Sequence, residues 1–205
     1  MFTILKKLPM DCYVAFSGGK DSTVFTKYLL ANPNRKVTLL HYNHGLVEED
    51  FNSHSFALDF AKENNLNIIV GINNETPTKY NKGYENHCRE LRYSFLNKFD
   101  DKPIIMCHHL GDVLETWVFS GLIHANPKLI PYKRNNIIRP FLAVSTKQVS
   151  DYAEYHNIIW YEDKTNTDLT IVRNRIRHNI IPEMRSINLG LETKLKKLVI
   201  KKYNN

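Results

Sequence analysis

The chain has 205 residues, 42% hydrophobic, 11% aromatic and 24% charged, which describes one domain with at most a small appendage and excludes a disordered, collagenous or coiled-coil protein. No apolar run approaches the roughly 18–20 residues of a membrane span, and Met1–Pro9 lacks the apolar core of a signal peptide, so a cytoplasmic protein without membrane contact is expected. The net charge is +7, and the nine cations and two acids from Ile171 onward account for all of it, which places a basic C-terminal segment on a body that is neutral in sum.

Apolar β-branched runs alternate with helical spacing along the chain, the pattern of a parallel sheet covered by helices. The first run, Cys12–Phe16, leads through Ser17-Gly18-Gly19-Lys20-Asp21-Ser22 into a helix over Thr23–Leu30. Small residues between a strand and a helix let backbone N–H groups turn inward around an anion, and the helix N-terminus adds its positive dipole end. Asp21 would repel a phosphate unless a Mg²⁺ bridges the two; the plain alternative is a tight turn with Asp21 as a helix cap. A strand over Val37–Tyr42, a helix over Glu49–Asn64 and a strand over Asn67–Ile72 follow, then a loop over Asn73–Lys82 and a helix over Tyr84–Phe99.

The fourth strand, Pro103–His108, leads into a helix beginning near Gly111 and running to Ile123. Asp112 and Glu115 lie three apart on one face of that helix, with His108 at the strand end. Ligands of open parallel sheets bind beyond the C-terminal strand ends, so this cluster and the phosphate loop are expected in one crevice. Two carboxylates and a histidine suit an amine, holding its ammonium and taking its proton; acids favoured by the helix dipole account for the same pattern more simply. Ala125–Asn136 is rich in Asn, Pro and Lys and is assigned to a loop, Ile137–Leu142 to the fifth strand, and Ser145-Thr-Lys-Gln148 to a capping box opening a helix to about His156. A last helix over Thr170–Ile180 is expected to stop near Pro182. Cys12, Cys88 and Cys107 are widely spaced with no C-x-x-C, so neither a disulfide framework nor a cysteine metal cluster is indicated.

The S-G-G-x-D-S loop resembles that of the PP-loop, or N-type, ATP pyrophosphatases, and further stretches are similar to the tRNA(Ile)-lysidine synthetases among them. These are Asn43-His44-Gly45-Leu46, His108-His109-Leu110-Gly111-Asp112-Val113-Leu114-Glu115-Thr116, Arg139-Pro140-Phe141-Leu142, and Trp160–Asp168 running into Arg173-Asn174-Arg175-Ile176-Arg177 and Ile181-Pro182. The resemblance covers roughly residues 10–190, and members of that family usually continue into a further tRNA-binding region.

It implies a doubly wound, mostly parallel five-stranded α/β sheet with helices on both faces. The expected division is a catalytic domain over 1–165 and a basic helical extension over 166–205. It implies ATP and Mg²⁺ as cofactors, with Ser17, Gly18, Gly19, Lys20, Asp21, Ser22 and His44 at the nucleotide and Asp21 at the metal. Asp21, Asp112 and Glu115 become the catalytic residues, and Arg89, His108, Asp112 and Glu115 the substrate contacts, Arg89 of Arg89-Glu-Leu-Arg92-Tyr93 reaching either a phosphate or the lysine carboxylate. The implied partners are free L-lysine and a CAU-anticodon tRNA(Ile), whose phosphates Arg173 and Arg177 would grip, and a homodimer is compatible with the apolar spacing of Leu195, Leu198 and Val199. The activity implied is adenylation of the wobble cytidine and its replacement by lysine. Another PP-loop enzyme, or a reduced ATP- and RNA-binding module, is the alternative, because the family carries two consecutive acids and this chain has Gly111 where the first belongs.

Overall fold

Five short apolar strands lie side by side in parallel because each alternates its residues between two covered faces. The computed structural model of the chain describes residues 1–45, 48–73, 84–124 and 126–204; Leu46, positions 74–82 of the expected loop and Ala125 lie outside them. The parallel strands are β1 (Asp11–Ala15), β2 (Lys36–Asn43), β3 (Asn67–Ile72), β4 (Ile104–Met106) and β6 (Ile137–Ile138). A sixth strand, β5 (Lys133–Arg134), pairs antiparallel to β6, and the order is β3-β2-β1-β4-β6-β5. The sheet therefore has six strands rather than the five expected.

The added strand falls inside the segment assigned to a loop. Asn135 stands at φ 53° in the two-residue turn to β6, and asparagine tolerates that left-handed conformation well enough to close a hairpin. The last parallel strand is shorter than its apolar run suggested. Pro140 donates no backbone hydrogen bond and instead accepts one from Leu5 N–H at 3.1 Å, after which the chain turns through buried Phe141–Val144.

Strand alternation separates the two sides of the core. Cys12, Val14, Leu39 and Ile105 pack with Phe25 and Leu29 of α1 (Lys20–Leu30), Phe60 of α2 (Glu48–Glu63) and Val149 of α5 (Thr146–Tyr155). Tyr13, Leu40, Ile104, Met106 and Ile137 point the other way, onto Phe95 and Leu96 at the end of α3 (Tyr84–Leu96). The Ser145 capping box forms as expected, with Gln148 N–H donating to Ser145 Oγ at 3.2 Å and Ser145 N–H to Gln148 Oε1 at 3.0 Å.

A third cluster joins α4 (Leu110–Ile123) to the C-terminal helices, where Leu110, Val113 and Leu114 meet Ile176, Ile181, Leu195 and Val199. The expected stop at Pro182 does not occur. α6 (Val172–Arg175) widens into a π turn over Ile176–Ile180, and α7 (Ile181–Ile187) carries Pro182 in its first turn. Proline needs no N–H partner at that place, and the wider turn relieves its ring of the carbonyl one turn back. On α8 (Leu191–Tyr203), Leu195 and Val199 are buried while Leu198 is exposed. Among the described residues no helix is long and apolar enough to cross a membrane.

The strand order has its reversal between β1 and β4, since β2 and β3 lie to one side of the pair and β6 and β5 to the other. Loops leaving two such strands diverge and open a crevice at their C-terminal ends. The segments that leave β1 and β4 there are Phe16–Gly19 and Cys107–His109.

Candidate active site

Ser17, Gly18 and Gly19 turn the chain from β1 into α1. Gly18 holds φ +82°, and a Cβ there would stand 3.1 Å from the Phe56 ring, so both conformation and space call for glycine. Ser22 Oγ lies 3.1 Å from Ser17 Oγ and donates to Gly19 C=O at 2.9 Å, while Thr23 Oγ1 donates to Gly18 C=O at 3.0 Å. No side chain caps α1, which leaves its first N–H groups for an anion. Tyr161 N–H donates to Gly18 C=O at 2.9 Å and fastens the segment after α5 across the loop. Lys20 belongs to that fastening: its Nζ donates to Ser150 Oγ at 2.7 Å and lies 5.4 Å from the Trp160 ring centre. His44, past the end of β2, is half-buried and edge-on to Tyr42 at 5.0 Å.

The acidic centre forms around His109. Its ring caps α4, with Gly111 N–H donating to Nδ1 at 2.8 Å, while Asp112 Oδ2 accepts His109 N–H at 2.8 Å to complete a capping box. Nε2 lies 3.4 Å from Asp21 Oδ1, so one imidazole stands between the carboxylate of the first loop and that of α4. Burial opposes a second proton on this ring, Asp112 and Asp21 favour it more strongly, and the net direction is upward, although Gly111 N–H must give way to receive it. Burial also raises the Asp112 carboxyl, but His109 and the backbone N–H it accepts outweigh that and hold it below the usual carboxylate range.

Asp21, His109 and Asp112 each present a ligand atom within 4.8 Å of the others. Two carboxylate oxygens with space for phosphate or water oxygens fit Mg²⁺, a hard cation that seldom takes an all-protein cage. Gly111 is tightly enclosed: a Cβ would come within 2.5 Å of His109 Cε1 and 2.7 Å of Thr146 Oγ1. The imidazole thus fills the space beside the position where a first acid was expected.

His108 lies on the opposite side of the strand end. Its Nδ1 accepts from Arg139 Nε at 3.1 Å, and burial, reinforced by Arg139, Arg92 and Arg89 against Asp112, lowers its pKa to about 4. Arg139, 2% exposed, also donates to Pro131 C=O at 3.0 Å and to Tyr93 Oη at 3.0 Å. Arg89 stacks 4.8 Å from the Tyr93 ring centre and donates to the same hydroxyl at 3.4 Å. Burial raises the Tyr93 phenol, but Arg139 and Arg89 pull it below the ordinary tyrosine range.

Glu115 is 5% exposed and receives both Arg177 Nε at 2.6 Å and Arg177 Nη2 at 3.1 Å, so the π turn delivers its arginine to α4. Burial raises the Glu115 carboxyl further than Arg177 lowers it. Asn174 lies buried between Arg173 and exposed Arg175, donating to the carbonyls of Thr165 and Asp168 at 2.8 and 2.9 Å. It thereby anchors the Trp160–Asp168 segment to the helix.

The crevice thus brings Asp21 and Asp112 together, sets Glu115 one turn along α4 in the grasp of Arg177, and turns His108 and Arg89 to a separate basic wall. Sequence reasoning placed the histidine of the acidic centre at His108 and missed His109. The signal was present: successive residues at a strand end face opposite ways, and a side chain three residues before Asp112 forms its capping box. Arg92 and Arg139 were read only as parts of the Arg89–Tyr93 and Arg139–Leu142 stretches and given no role, because burial of an arginine has no local sequence signature.

The profile of the PP-loop domain family matches residues 4–184. A tRNA(Ile)-lysidine synthase of Persephonella marina is 39% identical over 196 residues, covering 89% of this chain and 43% of the relative. One of Thermotoga maritima is 30% identical over 200 residues, covering 91% and 48%. The chain therefore spans less than half the length of these curated relatives. Among solved structures, the U34-tRNA thiolase NcsA of Methanococcus maripaludis superposes with a TM-score of 0.70 at 16% identity, over 95% of this chain and 74% of that one. The NH3-dependent NAD synthetase of Campylobacter jejuni superposes at 0.53 and 15% identity, over 94% and 85%. These two likenesses concern the fold.

Proposed function

The chain belongs to the PP-loop domain family, and on that premise we propose that it is a tRNA-modifying ligase that adenylates the wobble cytidine of a CAU-anticodon tRNA(Ile) with ATP and replaces the AMP by the ε-amine of L-lysine. The observation that carries this reading is the meeting of Asp21, from the phosphate loop, with Asp112 across His109 at the mouth of β1 and β4. It puts amine-binding carboxylates beside a site for pyrophosphate. The relatives' names give the reading its substrate.

Cytosine O2 is a poor leaving group, so an amine displaces it only after activation. O2 attacks the α-phosphorus of ATP, the bond to the bridging oxygen breaks, and pyrophosphate leaves toward the Ser17–Ser22 loop and the unpaired N–H groups of α1. His44 borders the nucleotide pocket, and Lys20 holds the loop against α5. Asp21 and Asp112 would hold a divalent cation, which would neutralise the phosphate charge there. The lysine nitrogen then attacks C2, the C2–O bond breaks, and AMP departs.

An ammonium cannot attack, so a proton must leave first. Asp112 is the carboxylate placed to accept it, because Glu115 has its oxygens occupied by Arg177 and His109, with its raised proton affinity, is already charged near neutral pH. Glu115 is the second carboxylate of this wall and fixes Arg177, which with Arg173 faces RNA phosphates from the basic extension over 166–205 beside the catalytic unit over 1–165. Such an enzyme works in the cytoplasm, where its RNA is found. Purified protein with ATP, Mg²⁺ and labelled lysine should label a CAU-anticodon tRNA(Ile) and not a control with another wobble base. Pyrophosphate release toward a different acceptor, without labelling, would move the activity elsewhere in the family.

A further inference from the structure

The two edges of the sheet are built differently. β5 is two residues long and consists of Lys133 and Arg134, both exposed, the charged guard that discourages strand pairing. β3, at the other edge, has six residues, Asn67-Ile-Ile-Val-Gly-Ile72, with neither charge nor proline among them. Asn73 N–H donates to Asn43 C=O of β2 at 2.9 Å, and main-chain groups alternate sides along a strand, so those of Ile68, Val70 and Ile72 point away from β2. Among the described residues no strand pairs with them. Apolar side chains frame this open edge. Ile69 and Ile72 are exposed on opposite faces of the strand, and Phe51 and Leu58 are exposed on α2, seven residues apart and so on one flank of the helix. That flank is turned outward past β3, because the other one, with Phe56, Asp59 and Glu63, lines a groove shared with Lys27 and Leu30 of α1.

We propose that the β3 edge is the interface of a twofold dimer, in which β3 of a second copy pairs antiparallel about an axis at Val70 and the two α2 helices meet above it through Phe51 and Leu58. The register sets Val70 on Val70 and Ile68 on Ile72, so that every outward N–H and C=O of the strand gains a partner. A second copy fits this edge better than a lone extended peptide. An added strand would satisfy the backbone and leave Phe51 and Leu58 open, whereas a second copy brings its own α2, seated over the last strands of its sheet and within packing range of the first. The strand is neutral, so two copies meet without repulsion. On α8, where the apolar spacing suggested a contact, Leu195 and Val199 are instead turned into the core. Antiparallel pairing opens the two crevices at opposite ends of the joined sheet, and each copy keeps its site accessible.

The test is sedimentation velocity of the full chain over a range of concentrations. Wild type should shift with concentration to a species of twice the chain mass. Val70 N–H takes no part in the pairing with β2, so Val70→Pro keeps the ladder within each copy and removes a donor of each at the axis. Leu58→Glu sets like charges against each other across the same axis. Each variant should raise the dimer dissociation constant at least ~10-fold, the scale of losing main-chain hydrogen bonds or apolar contact at the centre of an interface. Leu198→Glu on α8 should leave it unchanged. Thermal melting checks that the variants are folded, and if Val70→Pro is not, Leu58→Glu at its exposed position decides the matter alone. A single-chain mass at every concentration, a ladder of larger species in place of a closed pair, a dimer intact in the folded variants, or one that only Leu198→Glu dissociates overturns the interface.

Discussion

His108 and His109 are adjacent in the chain and opposite in chemistry. One accepts from a buried arginine and is held neutral, with a pKa lowered to about 4. The other stands between Asp21 and Asp112 and has its proton affinity raised. Neither residue type nor burial separates them; the alternation of a strand end does, by turning one ring to arginines and the other to carboxylates. A single strand terminus therefore divides the crevice into a basic wall and an acidic wall.

The largest expected effect is at the acidic wall. Asp112→Ala and Asp21→Ala should each lower ATP-dependent transfer of labelled lysine by roughly 10³-fold or more, the scale of losing an electrostatic or general-base group in the reaction step. His109→Ala should fall in the same class, whereas His108→Gln, which keeps an acceptor for Arg139, should retain most of the activity. Asp112→Ala also removes half of a capping box and should cost about 1 kcal/mol in denaturant unfolding. Equal losses in the two histidine variants would break the division.

The next effect is on stability against pH. His108 has a folded pKa near 4, below its ordinary 6.5, so the unfolded chain binds the extra proton first. Its contribution is therefore complete above about pH 6.5 and is lost as pH falls toward 4, amounting to about 3 kcal/mol. His109 has the opposite sign, with a contribution present below its unfolded pKa and lost as pH rises through the raised folded value. Urea unfolding between pH 4 and 7 should show a steep acid limb in wild type that His108→Gln flattens.

Much of this architecture was legible in the sequence. Four strands, five helices and the Ser145 cap rest on apolar period and capping chemistry, which act locally. The Lys133–Arg134 strand was not legible, because two polar residues pair only through the Asn135 turn and the edge of β6. At the site, the loop and Asp112 were visible as spacing. The ion pair of Glu115 with Arg177, 62 residues away, arises where α4 and a π turn pack together, and sequence spacing carries no trace of that distance. Gly111 was legible as a missing acid but not as a glycine enclosed by His109 and Thr146.

That long-range pair gives a smaller effect. Arg177 is 42% exposed and Glu115 6% by side chain, so water replaces part of the lost arginine. Arg177→Ala should cost about 1–2 kcal/mol near pH 7, less than a fully buried pair would. The burial-raised Glu115 carboxyl then rises further. A carboxyl with a raised folded pKa favours the folded state at low pH and loses that advantage as pH rises through the folded value. The deficit of Arg177→Ala should therefore shrink on acidification from pH 7, running against the His108 limb.

The smallest expected effect has the most diagnostic sign. Burial and the nearby Arg89 cation both work against the charge on Arg92, whose Nε is closed off without a hydrogen-bond partner. Arg92→Met keeps most of the side-chain volume and removes one charge, so it should stabilise the protein by about 1 kcal/mol, read as a melting temperature a few degrees higher. A lower melting temperature would instead make Arg92 a structural arginine, because the loss of its remaining contacts would then outweigh relief of its buried charge.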